Sequence, residues 1–295
     1  MAHLIDGTQI AQEIREETAK EVKILQRQNI QPHLTVVLVG ENPASQVYVR
    51  MKEKACKEVG ISSETLLFPS DLTQGALLDT VRSLNDDKRV HGILVQLPLP
   101  SHIDANVILE TMSPHKDVDG FHPINMGKLA SGSSEGFVPC TPAGVVELLL
   151  RSNNPPDGKH VVIVGRSNIV GKPLGLLLLR KAKGGNATVT YCHSKTQDLE
   201  SVTRTGDILV AAIGSPEMIR KDMVKPGAVV IDVGVNRVDD ATQKRGYRLV
   251  GDVYFSEVAE IAKAITPVPG GVGPMTIALL LKNTIKACKM NMKRG

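Results

Sequence analysis

Tryptophan is absent from this 295-residue chain, and aromatic residues make up only 3% of it. Proteins that bind single-stranded nucleic acid commonly stack bases on aromatic side chains, so this scarcity argues against a nucleic-acid partner. The formal net charge is only +4, and the sequence contains no block of basic residues. This mild charge balance favours small acidic molecules over DNA or RNA as ligands.

Cysteine is also scarce and occurs four times, without a C-x-x-C pair, at Cys56, Cys140, Cys192 and Cys288. Scattered cysteines exclude a disulfide framework and favour free thiols in a reducing compartment. No apolar run approaches the length of a transmembrane helix. The acidic residues near the N-terminus are unlike those of a signal or transit peptide. We therefore expect a cytoplasmic protein with no membrane partner.

Helical and strand patterns alternate through the first half of the chain. An amphipathic helix is predicted from residue 8 to about residue 28, and another between an N-cap at Ser45 and Gly60. In this second helix, the residues expected to face the core are Val47, Met51, Ala55 and Val59. The predicted strands lie at 34–39, 64–68 and 92–96. Such alternation is typical of a parallel α/β sheet.

The turn cluster Asn-Asn-Pro-Pro-Asp-Gly at 153–158 indicates a nearby change of domain. We predict a first α/β domain at 1–146 and a second α/β domain at 147–274. The last helix, within 275–295, is expected to pack back on the first domain. The strands predicted for the second domain lie at 161–164, 187–192, 208–212 and 228–233.

A strand, a tight turn and a helix N-terminus follow one another at 160–173. The apolar strand ends at Gly165, and Gly171 opens a helix that has Pro173 in its first turn. Such a turn binds phosphate through free backbone N–H groups and the helix dipole. Arg166 and Ser167 fill the turn, and an arginine there favours the extra phosphate of NADP over NAD. The alternative is an ordinary loop between a strand and a helix.

The end of the next strand supports the same choice of cofactor. NAD enzymes commonly place an acidic residue there for the ribose 2′-hydroxyl. Here the strand runs into His-Ser-Lys-Thr at 193–196, which contains no acid. A hydroxyl and cations close to Arg166 suit a 2′-phosphate, so we predict NADP as the cofactor.

Three further positions are candidates for chemistry in the first domain. Tyr48 and Lys52 lie four residues apart, on one side of the predicted helix and at the border of its core-facing stripe. Gln96 closes a strand, where ligands of parallel sheets collect. The alternatives are a surface lysine beside a half-buried tyrosine, and a simple strand-end cap.

The segment 115–122 holds two histidines and two aspartates, which are possible metal ligands. Their spacing matches neither a zinc site nor a calcium loop, and Lys116 lies among them. Turn formation explains Asp119 and Gly120 equally well. We expect no metal site here.

Five motifs in this order resemble the bifunctional methylenetetrahydrofolate dehydrogenase/cyclohydrolase family. They are VYVRMKEKACKEVG (47–60), QLPLP (96–100), KDVDGFH (116–122), GRSNIVGKP (165–173) and PVPGGVGPMT (267–276). The resemblance covers nearly the whole chain. It implies a folate-binding catalytic domain, followed by a Rossmann-like NADP-binding domain. It further implies a homodimer that acts on tetrahydrofolate derivatives in one-carbon metabolism, which supplies purine biosynthesis.

The activity that this family implies has two steps: NADP-dependent oxidation of 5,10-methylenetetrahydrofolate to the methenyl form, then hydrolysis to 10-formyltetrahydrofolate. Lys52 would be the key residue of the hydrolysis, and Gln96 would orient it. Tyr48 would stack on the folate ring, and Asp119 would bind the pterin. The alternatives are a dehydrogenase of the same family without the hydrolase activity, and a non-catalytic folate-binding protein.

The resemblance also implies two sets of contact residues. Those expected on the folate are Tyr48, Val49, Arg50, Met51, Lys52, Val95, Gln96, Leu97, Asp119, Pro269, Gly270, Gly271, Val272 and Gly273. Those expected on NADP are Gly165, Arg166, Ser167, Ile169, Gly171, Pro173, Ser194 and Val235. Arg166 and Ser194 would hold the 2′-phosphate. Val235 would lie near the nicotinamide, at a position that is usually isoleucine in the family.

Overall fold

The computed structural model describes residues 1–243 and 246–292. The elements up to residue 151 are β1 (His3–Leu4), α1 (Gly7–Arg27), β2 (His33–Val39), α2 (Pro43–Val59), β3 (Ser62–Phe68), α3 (Gln74–Asp86), β4 (Gly92–Val95), α4 (Ala105–Thr111), α5 (Pro123–Ala130) and α6 (Cys140–Arg151). The later elements are β5 (His160–Val164), α7 (Gly171–Leu179), β6 (Thr188–Cys192), α8 (Leu199–Thr203), β7 (Ile208–Ala211), a 3-10 helix (Lys221–Met223), β8 (Val229–Asp232), β9 (Asn236–Asp239), β10 (Tyr247–Val250), α9 (Phe255–Ile261), β11 (Ala264–Ile265) and α10 (Val272–Met292).

The chain forms two compact units. The three-stranded unit comprises residues 12–140 and the chain from residue 277 onward, and the six-stranded unit comprises residues 1–11 and 141–276. These ranges differ from the predicted 1–146 and 147–274. The reason is a two-residue strand, β1, which pairs with β11 and so places the N-terminus in the six-stranded unit. A strand of two residues has no periodicity that the sequence could reveal.

The three-stranded unit contains a parallel sheet in the order β3-β2-β4. The central strand β2 is buried along nearly its whole length, as expected for a strand covered on both faces. Its side chains Val37 and Val39 join Leu77 and Val81 of α3 in one apolar cluster. The predicted parallel α/β architecture is confirmed in this unit.

Helix α2 differs from its prediction at one end and around its axis. Asn42, not Ser45, is the N-cap, and its side chain accepts a hydrogen bond from the Ser45 N–H at 3.1 Å. The predicted end at Gly60 is confirmed, with Gly60 in the left-handed conformation. Ala55 and Val59 are buried as predicted, but Val47 and Met51 are 47% and 48% exposed, so the first half of the predicted core stripe is wrong. The buried residues of the helix are Ser45, Val49, Lys52, Ala55, Cys56 and Val59.

The six-stranded unit is a parallel sheet in the order β1-β11-β8-β7-β5-β6. Apolar side chains of its inner strands, among them Val162, Leu209 and Val230, form one core cluster. A two-stranded antiparallel hairpin, β9 and β10, follows β8. The apolar runs predicted at 161–164, 187–192, 208–212 and 228–233 are all confirmed as strands within one residue or two.

The last helix returns to the three-stranded unit, as predicted. The Asn283 side chain on α10 donates hydrogen bonds to the carbonyl oxygens of Val118 at 2.8 Å and Val138 at 3.1 Å. Across the described ranges 1–243 and 246–292, no helix has the length and hydropathy needed to span a membrane.

Candidate active site

Lys52 and Gln96 meet inside the three-stranded unit. The Lys52 ammonium nitrogen, Nζ, donates a hydrogen bond to Gln96 Oε1 at 2.9 Å. Lys52 is only 7% exposed. A surface position for this lysine is therefore excluded, because burial of a lysine requires a defined partner.

The sheet places Gln96 at the point where β4 ends. The Gln96 N–H still continues the ladder, since it donates to the Val37 carbonyl at 2.8 Å. The Gln96 side-chain nitrogen donates to the Leu97 carbonyl oxygen at 2.6 Å. Gln96 therefore has one fixed orientation, with Oε1 directed at Lys52.

Asp119 adds a carboxyl group to this pair. Burial raises the pKa of Asp119, and the positive charge of Lys52 acts in the opposite direction. Burial likewise raises the pKa of the neighbouring Cys140 thiol, as does the charge of Asp119. Ammonium, amide and carboxyl groups are thus gathered at one place, where they can hold or transfer protons.

A tight turn fixes the position of Asp119. The next residue, Gly120, has φ +77°, and a Cβ atom there would lie 2.6 Å from the Val138 carbonyl carbon. No side chain fits at this approach, so only glycine allows the turn.

The buried carboxylate of Asp117 organises the same loop. It accepts hydrogen bonds from the backbone N–H groups of Gly120 at 3.0 Å, Phe121 at 3.2 Å and His122 at 2.8 Å, and from the Asn125 side chain at 2.8 Å. The sequence analysis did not give Asp117 this role. An Asp three residues before a Gly is a turn signal that could have indicated it.

Lys116 has a structural role away from the Lys52–Gln96 pair. Its Nζ donates to the carbonyl oxygens of Leu84 at 2.9 Å and Asp87 at 2.7 Å, at the end of α3. A cation at a helix C-terminus stabilises the exposed carbonyls. Burial lowers the pKa of Lys116, and the charges of Asp87 and Asp86 oppose that change.

His122 is the N-cap of α5. Its Nδ1 accepts from the Ile124 N–H at 3.1 Å, and its Nε2 lies 3.2 Å from the Glu110 carbonyl oxygen. Within the described part of the chain, no group of three or more His, Cys, Asp and Glu side chains could hold a metal ion.

The remaining folate-contact candidates on α2 and β4 divide by exposure. Tyr48 and Met51 are exposed, and so is Arg50, so their side chains are accessible to a ligand. Val49 and Val95 are buried, and only their backbone could contact a ligand.

The loop Pro269 to Gly273 belongs to the six-stranded unit. There the Gly270 carbonyl accepts a hydrogen bond from the Thr8 N–H at 3.0 Å. A Cβ atom on Gly7 would lie 1.8 Å from the Gly271 carbonyl oxygen. The start of α1 therefore packs directly on the backbone of this loop.

The predicted phosphate-binding turn is present after β5. Gly165 has φ +127°, and a Cβ there would lie 2.1 Å from the Ala212 carbonyl oxygen. A Cβ on Gly171 would lie 2.2 Å from the Gly165 carbonyl oxygen. The Ser167 hydroxyl accepts from the N–H groups of Val170 at 3.1 Å and Gly171 at 3.4 Å. The close approaches require both glycines, and the serine satisfies two N–H groups at the start of α7, where Pro173 is buried in the first turn.

Arg166 and Ser194 follow adjacent strands. Strands β5 and β6 pair with Val164 opposite Cys192, so the residues just after them emerge at the same edge of the sheet. Both side chains are exposed. Among the described residues, Arg166 forms no hydrogen bond or ion pair with another side chain, so its guanidinium is available for a phosphate. Ile169 and Val235 are exposed at the same edge of the sheet, after β5 and β8.

Two family models match the chain. The catalytic-domain model of tetrahydrofolate dehydrogenase/cyclohydrolase matches residues 5–119, and its NAD(P)-binding-domain model matches residues 139–292. The chain is also similar to the bifunctional protein FolD 1 of Myxococcus xanthus. The two are 55% identical over 294 residues, which is 100% of each chain.

Solved structures give the same result. The chain superposes on the bifunctional FolD methylenetetrahydrofolate dehydrogenase/cyclohydrolase of Campylobacter jejuni with a TM-score of 0.92, 49% identity, and coverage of 98% of this chain and 99% of that one. The methylenetetrahydrofolate dehydrogenase-cyclohydrolase of Trypanosoma brucei, complexed with an NADP cofactor and an inhibitor, gives a TM-score of 0.93 at 42% identity. This match covers 99% of both chains.

Proposed function

Because the chain belongs to the tetrahydrofolate dehydrogenase/cyclohydrolase family, we propose that it oxidises 5,10-methylenetetrahydrofolate with NADP and then hydrolyses the methenyl product to 10-formyltetrahydrofolate. The observation that carries this proposal is the buried hydrogen bond between Lys52 and Gln96. It supplies a proton-transfer group, which hydride transfer alone does not need.

NADP fits the residues at the carboxyl edge of the six-stranded sheet. The close approaches at Gly165 and Gly171 leave the backbone open to a pyrophosphate, next to the N-terminus of α7. Arg166 and Ser194 would hold the 2′-phosphate. When bound, the nicotinamide of NADP accepts the hydride that the folate loses.

Loss of the hydride leaves a folate cation that two flanking nitrogens stabilise, so the oxidation needs no acid or base from the protein. Its main requirement is geometry, because the donor carbon must be held against the acceptor ring. Tyr48, exposed on α2, would stack on the folate ring. The Asp119 carboxyl, whose pKa is raised by burial, would bind the pterin.

Hydrolysis adds water to the cationic carbon and opens the ring, with release of one proton. In its neutral form, Lys52 Nζ accepts a proton from the attacking water. Gln96 Oε1 holds one Lys52 N–H and so fixes the direction of the nitrogen toward the folate. The second candidate is a dehydrogenase without hydrolase activity. Such an enzyme would need no lysine at position 52.

We further infer a homodimer in a reducing, cytoplasmic compartment. The thiols Cys56, Cys140, Cys192 and Cys288 are all free and buried, and they support the assignment of the compartment. The dimer follows from the family resemblance, and sedimentation of the purified chain would test it.

The experiment measures NADPH and NADH formation from 5,10-methylenetetrahydrofolate, with the two cofactors at equal concentration. In parallel, the loss of added methenyltetrahydrofolate reports the hydrolysis. The proposal expects turnover that prefers NADP, together with hydrolysis faster than the uncatalysed rate. Turnover without hydrolysis would favour the dehydrogenase-only alternative, and no turnover in either assay would overturn the proposal.

A further inference from the structure

Two loops emerge side by side at the carboxyl edge of the six-stranded sheet. Strands β7 and β8 are adjacent and parallel, with Ala211 opposite Asp232. One loop starts at Ala212, and the other carries Val235. Because ligands of parallel sheets bind at this edge, the relative position of these loops decides the shape of the cofactor site.

A single carboxylate joins the two loops. Asp252, which follows β10, is completely buried. Its Oδ2 accepts from the N–H groups of Ile213 at 2.6 Å and Gly214 at 3.0 Å. Its Oδ1 accepts from the Ser215 N–H at 3.0 Å and from the Asn236 side-chain nitrogen at 2.9 Å. These four donors match the four acceptor positions that a carboxylate offers.

A second carboxylate holds Asp252 in place. Asp232, at the end of β8, accepts from the Asp252 N–H at 3.0 Å, the Val253 N–H at 2.9 Å and the Gly234 N–H at 2.9 Å. Each carboxylate also packs closely against a glycine. A Cβ on Gly234 would lie 2.3 Å from Asp252 Cγ, and a Cβ on Gly251 would lie 1.8 Å from Asp232 Oδ2.

The apolar core cluster of the unit includes neither carboxylate. Thirteen buried apolar residues already hold the strands together, including Leu209, Val230 and Val253. Two buried carboxylates lose hydration and repel each other, and each must be satisfied by a full set of donors. The donors to Asp252 all come from the two loops at the ligand-binding edge, and Asp232 holds Asp252 by its backbone, so the pair fixes the geometry of that edge.

We propose that Asp252, supported by Asp232, is a positioning residue for the nicotinamide end of the NADP site. It ties the 212–215 loop to Asn236 and so fixes Val235, the adjacent residue. This inference rests on the proposed function. It concerns one end of the cofactor only, since none of the donors to Asp252 and Asp232 named above belongs to the turn at Arg166 or to Ser194, which would hold the 2′-phosphate.

The test uses Asp252→Asn in the full-length protein. The amide keeps the shape but turns an NH₂ group toward backbone N–H donors, which leaves donors without an acceptor. We expect kcat/KM for NADP in the oxidation to fall by about tenfold or more, because a small displacement of the acceptor ring from the donor carbon costs this much or more even when the substitution lies away from the reacting atoms. Two other readouts should stay within about twofold: the affinity for adenosine 2′,5′-bisphosphate, which lacks the nicotinamide, and the hydrolysis of methenyltetrahydrofolate, which depends on Lys52.

Two further variants complete the design. Asn236→Ala removes one of the four donors and leaves the carboxylates intact, so a smaller loss in the same direction is expected even where Asp252→Asn folds poorly. Asp239→Asn, an exposed carboxylate of the same hairpin, is the matched control and should be unchanged.

Parent-like oxidation kinetics in Asp252→Asn and Asn236→Ala would overturn the inference. An equal loss of affinity for adenosine 2′,5′-bisphosphate would also overturn it, because the pair would then support the unit as a whole. Failure of the proposed function is a different result, since the parent protein itself would then show no oxidation.

Discussion

At the scale of single residues, Lys52 separates the two proposed reactions. Lys52→Met should lower the rate of methenyltetrahydrofolate hydrolysis by about 10²-fold or more, the range of general acid–base effects, while some oxidation remains. Methionine fills a similar volume, and the Asp119 carboxyl, whose pKa burial already raises, can take up a proton once the cation is removed, so the fold should persist. Separate assays of the two reactions provide the measurement.

The matched control for this substitution is Lys54→Met. Lys54 lies on the same helix, but its side chain is 80% exposed and pairs with Glu58. Both reactions should be unchanged in this variant. An equal loss of both reactions in Lys52→Met would contradict the division of labour.

Arg166 provides the residue-scale prediction for the cofactor. Arg166→Ala should weaken NADP binding by about 10- to 100-fold, because a charge-assisted hydrogen bond contributes about 1.5–3 kcal/mol. NAD lacks the 2′-phosphate and should bind almost as before. Titration of both cofactors measures the ratio, and Lys159→Ala is the control, since Lys159 precedes β5 at the opposite end of the strand. A loss that is equal for NADP and NAD would show that Arg166 does not contact the 2′-phosphate.

At the scale of elements, local signals were readable from the sequence, and signals that depend on distant partners were not. Gly60 ends α2 and Gly171 opens α7 as predicted, because a glycine acts on its own turn. The buried face in the first half of α2 was assigned wrongly, because Val47 and Val49 are equally apolar and only the packed sheet distinguishes them. The role of Asp252 was not predictable at all, since its partners lie 16 to 39 residues away.

Asp232 links β8 and β10 and provides a pH prediction at this scale. Burial, with a smaller contribution from the charge of Asp252, raises the pKa of Asp232 to about 7 from 3.8. At a pH between these two pKa values, Asp232 is protonated in the folded state but has lost its proton in the unfolded state. Stability contributed by the protonated form is therefore lost as pH rises from about 4 to about 7, by up to about 4 kcal/mol.

The measurement compares the parent protein with Asp232→Asn, which has no titrating group at this position. The free energy of unfolding of the parent, relative to the variant, should fall as the pH rises from 5 to 8. Asp239→Asn should show no such pH-dependent difference. A constant difference between the parent and Asp232→Asn would mean that Asp232 is ionised throughout this range.

At the scale of the whole molecule, two helices cross between the compact units without a break. Helix α1 spans residues 7–27 across the boundary at residue 11, and α10 spans residues 272–292 across the boundary at residue 276. Helix formation is cooperative along a continuous segment. We therefore expect that unfolding of either helix in one unit also lowers the stability of the other unit.

Leu280→Ala tests this coupling. Leu280 is fully buried on the part of α10 that belongs to the three-stranded unit, and its truncation should cost about 2–5 kcal/mol. If α10 couples the unfolding of the two units, heating should abolish two functions at the same lowered temperature in this variant. These functions are the hydrolysis of methenyltetrahydrofolate and the binding of adenosine 2′,5′-bisphosphate. Met292→Ala, an exposed position on the same helix, should shift neither. Two well-separated transitions in Leu280→Ala, with the nucleotide-binding one unmoved, would show that the units unfold independently despite their shared helices.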